Sequence, residues 1–176
     1  MVQSVVQQQY DQLAKIYDQR WKTYIGNTLN FVNQWAAIPA EATVLDIACG
    51  TGEFERLLVQ GNPNQQILGI DISTEMLAIA QQKLDGYSSV RFEQGSATKI
   101  PAVDEQFDVV ICASSFHYFD QPIDALASGY RQCYTQTEFH NFFSDAQLSI
   151  QAATKIRFGW AWEFMIVTAT KASILC

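Results

Sequence analysis

Positive charge is scarce. Eleven Lys and Arg stand against eighteen Asp and Glu, for a net charge of −7 over 176 residues, and no Lys/Arg cluster occurs. Nucleic acid and anionic membrane surfaces are therefore disfavoured as partners, because sequence-independent attraction to phosphate needs local positive charge. Long apolar runs are missing too, so no segment reaches the roughly 20 residues that span a bilayer. The opening "MVQSVVQQQYDQLAKIYDQRW" lacks the apolar core of a signal peptide. Cys49, Cys112, Cys133 and Cys176 lie far apart with no C-x-x-C pair. That spacing argues against metal or redox use and for reduced thiols in a cytoplasmic protein.

What is present suits a packed fold: 48% of the residues are hydrophobic and 16% charged. The length fits one domain around one core. In "VVQQQYDQLAKIYDQRWKTYIGNTLNFVNQWAAI", Val6, Tyr10, Leu13 and Tyr17, then Ile25, Leu29 and Val32, recur at spacings of three and four. The periodicity predicts two helices, with a break near Gly26 and Asn27 and a stop at Pro39.

From there strands and helices alternate. "TVLDIAC" reads as a buried strand and "GEFERLLVQ" as a helix ending at Gly61. "QILGIDI" is a second strand, and "STEMLAIAQQKL" a helix with Ser73 as N-cap and Gly86 past its end. "SVRFEQ" and the uniformly apolar "FDVVICASSFHYF" give a third and a fourth strand. Such alternation implies an α/β, Rossmann-like, doubly wound and mostly parallel sheet. "QPIDALASGYRQC" and "TQTEFHNFFSDAQL" read as further helices, and "SIQAATKIRFGWAWEFMIVTATK" as an antiparallel C-terminal hairpin.

The turn "ACGTGE" after the first strand is the default ligand cradle of such a sheet. Small residues at Ala48, Gly50 and Gly52 let backbone approach a ligand. A dinucleotide site wants G-x-G-x-x-G, and its third glycine would fall on Glu53 or Glu55. Glu53 at the helix N-terminus also has the wrong sign for a diphosphate. A cationic ligand removes the conflict. Asp46 can neutralise an ammonium, turn amides can meet a carboxylate, and Asp71 can accept both hydroxyls of a ribose.

The ordered stretches "LDIACGTGEF", "GIDIS" with Met76 beyond it, "RFEQGSATKIP" and "FDVVICASSFHYF" resemble the motifs of class I S-adenosylmethionine-dependent methyltransferases. The likeness runs from about residue 10 to about residue 125. "YDQLAKIYDQRW" is similar to the covering helix of small-molecule members, including those of quinone biosynthesis. The resemblance implies S-adenosyl-L-methionine as cofactor and a small-molecule methyl acceptor as partner. It places Asp46, Ala48, Gly50 and Gly52 at the methionine side and Asp71 at the ribose, with Cys49 and Ser114 also among the cofactor-binding residues. Ile72 and Met76 would pack on the adenine, with Ser96 and Ala97 at its edge and Tyr10 and Tyr17 above. Ser96 stands where the family usually has an acid, which predicts a weaker hold on the adenine.

Each assignment has a structural alternative. The glycines can serve only a tight turn, Asp71 can be a helix cap, and Ile72, Met76, Tyr10 and Tyr17 can be core. His117 follows the fourth strand, where a general base would need to reach the acceptor proton; a packed structural histidine is its alternative. His140, Trp160 and Trp162 read as surface, core or edge cover.

The family's fifth central strand has no counterpart between Asp120 and Ser149. Keeping number five for it, the expected sheet has six strands in the order 3-2-1-4-7-6, with the hairpin docked on the fourth strand. The domain divides into a helical cap (1–38), a cofactor half (39–125) and a shortened C-terminal half (126–176). An open flank would favour association, so a dimer is one outcome. The functional alternatives to an active methyltransferase are a methyltransferase-like domain that binds without turnover, and a nucleotide-dependent oxidoreductase.

Overall fold

The structure is a computed structural model that describes residues 2–97, 100–101, 107–113, 115, 148–158 and 162–171. Helices α1 (Val2–Arg20) and α2 (Lys22–Ala36) come first. Then β1 (Val44–Ile47), α3 (Glu53–Gly61), β2 (Ile67–Asp71), α4 (Thr74–Lys83), β3 (Val90–Gln94) and β4 (Val109–Ile111) follow. A hairpin of β5 (Leu148–Phe158) and β6 (Trp162–Lys171) closes the described chain. His117 and Ser114, the two helices expected between Gln121 and Leu148, and Trp160 lie outside the described residues.

β1 to β4 form one parallel sheet in the order β3-β2-β1-β4, as the strand-helix alternation predicts. Val44 and Ile67 belong to one buried cluster, and Leu45, Leu68 and Ile70 to the other. The alternation shows the two central strands covered on both faces. Val32 of α2 joins Phe54, Leu58 and Val59 of α3 over the first face. Each such buried side chain contributes roughly 1.5–3 kcal/mol. The start of β4 is pinned to β1 by Asp108 Oδ2, which accepts from the Thr43 amide and hydroxyl, both at 2.8 Å.

Two expectations are corrected. The helical break falls at Trp21, not at Gly26 and Asn27, and Gly26 lies inside α2. Nothing lies within 4 Å of where a Gly26 side chain would start, and Asn30 Nδ2 donates to the Gly26 carbonyl at 2.7 Å. The Gly26 carbonyl thus finds a side-chain partner within the helix. The second correction concerns the hairpin. It pairs only with itself among the described residues, so the single six-stranded sheet is not formed. β5 and β6 pair with each other over ten residue pairs, with an irregularity between Ile150 and Ala152.

Two glycines should respond in opposite directions to alanine. A methyl at Gly69 would meet the Phe92 ring and Glu55 Oε1, each at 2.8 Å, so Gly69→Ala should destabilise the fold by about 1–3 kcal/mol. Gly26→Ala should stabilise it by about 0.5–1 kcal/mol. Denaturant midpoints check both, and equal shifts would contradict the packing described.

Candidate functional site

β1 delivers Asp46 to its C-terminal end, and the chain then reverses through three left-handed residues. These are Ala48 (φ 63°), Gly50 (φ 57°) and Gly52 (φ 76°). A side chain on Gly52 would come within 3.0 Å of the Ala80 methyl, so the glycine also lets α4 pack close. Ala48 carries a Cβ in a region that ordinarily costs an L-residue about 1–2 kcal/mol. Its conformation is held by neighbours: the Cys49 amide donates to the Ile70 carbonyl at 3.0 Å, and the Gly50 amide to Asp71 Oδ2 at 2.9 Å. The Gly52 amide donates to the Cys49 carbonyl at 3.1 Å. These three amides are therefore engaged inside the protein. The turn shapes the site by close approach.

Behind the turn lies a set of desolvated acids. Asp46 is 3% exposed and Glu55 wholly buried. Asp46 Oδ1 and both Glu55 oxygens have no hydrogen-bond partner. Burial, then the neighbouring Glu55, pushes the Asp46 carboxyl well above the usual range. Burial likewise raises Glu55, to about 7. Asp71 is raised by burial against the opposing hydrogen bonds from Ser73 and Gly50. The same desolvation and negative surroundings push the Cys49 thiol up, and burial does so for Cys112, so both stay protonated and unreactive. Among the described residues no His/Cys/Asp/Glu group could hold a metal ion.

Glu53 behaves in the opposite way. Burial would raise it, but hydrogen bonds from Arg56 and Lys83 outweigh that and hold it below its usual range. Its charge is met by Arg56 at 2.8 Å and Lys83 at 2.5 Å. The sign argument against a diphosphate therefore passes from Glu53, whose charge is met by two cations, to the Asp46 and Glu55 pair, which no cation pairs directly.

Helix α1 crosses above and is latched to both strand ends. "YDQ" occurs twice, seven residues apart, which puts Asp11 and Asp18 on one helical face. Asp11 accepts from the Ser73 hydroxyl beyond β2, at 2.5 Å. Asp18 accepts from the Thr51 hydroxyl in the turn at 2.5 Å and from Lys83 of α4 at 2.8 Å. The adjacent Tyr10 and Tyr17 rings stand 5.9 Å apart. The repeated tripeptide and the turn are the sequence signals for Asp11, Asp18 and Thr51, but only the fold joins them.

The two helices and the turn enclose a pocket holding about 510 Å³ of empty space, its open mouth included. Of the residues expected at a cofactor, Tyr17, Asp46, Ala48, Cys49 and Gly50 line it. Thr28 lines it too, with a buried hydroxyl oxygen that has no partner, and Ala113 and Ser115 close the side beyond β4. Asp71 reaches the turn through the Gly50 amide, and Gly52 is buried against Ala80 and Leu84 of the α4 side. Ile72, Ser96 and Ala97 are half-buried beyond the ends of β2 and β3. Met76 is 1% exposed, as a core residue is, and its amide is capped by Ser73 Oγ at 3.1 Å.

Known proteins resemble this arrangement. A family profile described as a methyltransferase domain matches residues 44–136. A demethylmenaquinone methyltransferase of Deinococcus radiodurans is 40% identical over 89 residues, covering 50% of this chain and 37% of the relative. A 2-phytyl-1,4-naphtoquinone methyltransferase of Thermosynechococcus vestitus is 32% identical over 108 residues, covering 58% and 48%. The chain thus spans half or less of the length of these curated relatives. Among solved structures, magnesium protoporphyrin IX methyltransferase from Synechocystis PCC 6803 superposes with a TM-score of 0.72 at 18% identity, over 96% of this chain and 97% of that one. At that identity the likeness is one of fold.

Two substitutions probe the site's construction. Ala48→Gly should raise stability by about 1 kcal/mol by relieving the left-handed Cβ. Asp18→Asn, which removes the charge that holds Thr51 and Lys83, should cost about 1 kcal/mol, because the site is partly open to solvent. It should also speed amide exchange across residues 2–20. Unchanged exchange there would mean that α1 is held by other contacts.

Proposed function

The chain belongs to the methyltransferase domain family, and from that premise we propose that it binds S-adenosyl-L-methionine and transfers its methyl group to a small-molecule acceptor. The single observation that carries the cofactor reading is Asp46: a buried carboxyl at the pocket's floor, with one oxygen that no protein donor reaches. A cationic group is the partner that such an oxygen lacks. The orphan Thr28 hydroxyl in the same pocket supplies a further polar contact.

When bound, S-adenosylmethionine supplies the electrophilic methyl, and its thioether leaves as a neutral group. The chain's own work is placement. Asp46 neutralises the amino end, and the approach of Ala48 and Gly50 fixes the depth of the seat. Tyr17 and the α1–α2 cap exclude water from above. Asp71 braces the turn, one oxygen accepting from the Gly50 amide and the other from the Ser73 amide, and the second lone pair of each oxygen is what remains to accept from ribose hydroxyls. Such alignment in a dry pocket is the main source of rate in a direct displacement. The relatives' names favour an acceptor with a quinol-type aromatic ring. His117 is the residue we propose for taking up the acceptor's proton where the acceptor must lose one.

Thermal shift tests the reading. S-adenosylhomocysteine at a hundred times its dissociation constant should stabilise the protein by about 2.7 kcal/mol. For a domain of this size that is roughly 5–10 °C in Tm. NAD should give no shift, and Asp46→Ala should lose the response to the homocysteine analogue. A shift with NAD alone would overturn the cofactor assignment. Cofactor binding without methyl transfer to demethylated quinols and simple phenols would leave a binding domain and remove the enzyme.

A further inference from the structure

Glu55 does not line the pocket, yet it is wholly buried directly behind it. On α3 it shares the buried face with Phe54, Leu58 and Val59. Its Oε1 rests over β2 at Gly69, where an added Cβ would come within 2.8 Å of it. No protein donor satisfies either Glu55 oxygen or Asp46 Oδ1. Two neighbouring carboxylates without donors or a cation cannot both stay ionised in such a place.

The groups that face Glu55 supply little relief. Asp46 comes from β1, Cys49 from the turn and Asp71 from β2, and all three are acidic or held neutral. Lys83 of α4 is the facing cation, and it is already engaged by Glu53 and Asp18. Asp71 has committed its two oxygens to the Gly50 and Ser73 amides. In the free protein the remaining counter-charge is a proton.

We propose that Asp46 and Glu55 share one proton beneath the glycine turn and release it to solvent when a cationic ligand is seated against Asp46. Glu55 is then a positioning residue that acts through Asp46 and sets the pH range of binding. The inference rests on the cofactor reading above. Its sign follows from linkage: the bound state holds fewer protons than the free state, so affinity rises with pH while the pair is still protonated. Above about 7, where Glu55 has already ionised, it levels off.

The test is calorimetric titration of S-adenosylmethionine into the wild-type protein, between pH 5.5 and 7, in buffers of different ionisation enthalpy. Close to one proton should leave per ligand at pH 5.5, and binding should be about tenfold tighter at pH 7. Glu55→Gln keeps the shape and removes the shared proton. It should bind with little proton release and an affinity flat with pH, its folding checked by melting. The histidines are the same in both proteins, so the difference between them isolates Glu55. Tight wild-type binding with no proton release, or a variant that keeps the full pH dependence, overturns the inference and leaves the cofactor reading intact. Absence of binding at every pH overturns both. If Glu55→Gln fails to fold, the wild-type proton count alone decides.

Discussion

The loss of water around Asp46 is the constraint on which the rest of the site depends. A carboxyl at the end of a buried parallel strand gives up its solvation, and Oδ1 receives no donor in return. An isolated group of this kind costs a few kcal/mol unless it is protonated or met by a cation. The turn that follows does not relieve it, because the amides of Cys49, Gly50 and Gly52 face inward to Ile70, Asp71 and Cys49. The fold thus carries an unmet negative site at the floor of a pocket. A phosphate-bearing ligand would aggravate that deficit, whereas a cationic one resolves it.

The second half of the device is the helical cap. α1 is tied down by two aspartates that take hydroxyl protons from Ser73 and Thr51, one at each strand end that frames the pocket. Lys83 gathers Asp18 and Glu53 into one network, so α1, the first turn of α3 and the end of α4 are coupled electrostatically. Hydrogen bonds from side chains at half-exposed positions are modest individually. Their placement matters more than their strength, because they set Tyr17 over the pocket.

Much of this was legible in the sequence, for identifiable reasons. Continuous apolar runs announced β1 and β2, since strands covered on both faces leave no polar alternation, and Ser73 announced α4 through a capping bond that is local in sequence. The order of the first four strands followed from the strand-helix rhythm. Other features depend on tertiary placement. "GEFERLL" looks like a solvated helix start, and Glu55 enters the core because Phe54, Glu55, Leu58 and Val59 fall on one side of α3 and Gly69 leaves a space opposite. Glu53 read as an uncompensated charge because Lys83 lies thirty residues away in the chain. The hairpin was recognisable from its β-rich runs, but its pairing with β4 was not decided by pattern. That pairing depends on tertiary placement, and among the described residues the hairpin forms its own two-stranded sheet.

The central claim is that the floor of this pocket is built for a cationic group held by Asp46. A crystal structure of the protein with S-adenosylhomocysteine tests it most directly. The account predicts the ligand between the α1–α2 cap and the glycine turn, with its amino group about 3 Å from Asp46 or joined to it through one water. A ligand seated with its amino group away from the end of β1, and Asp46 still unpartnered, would contradict it.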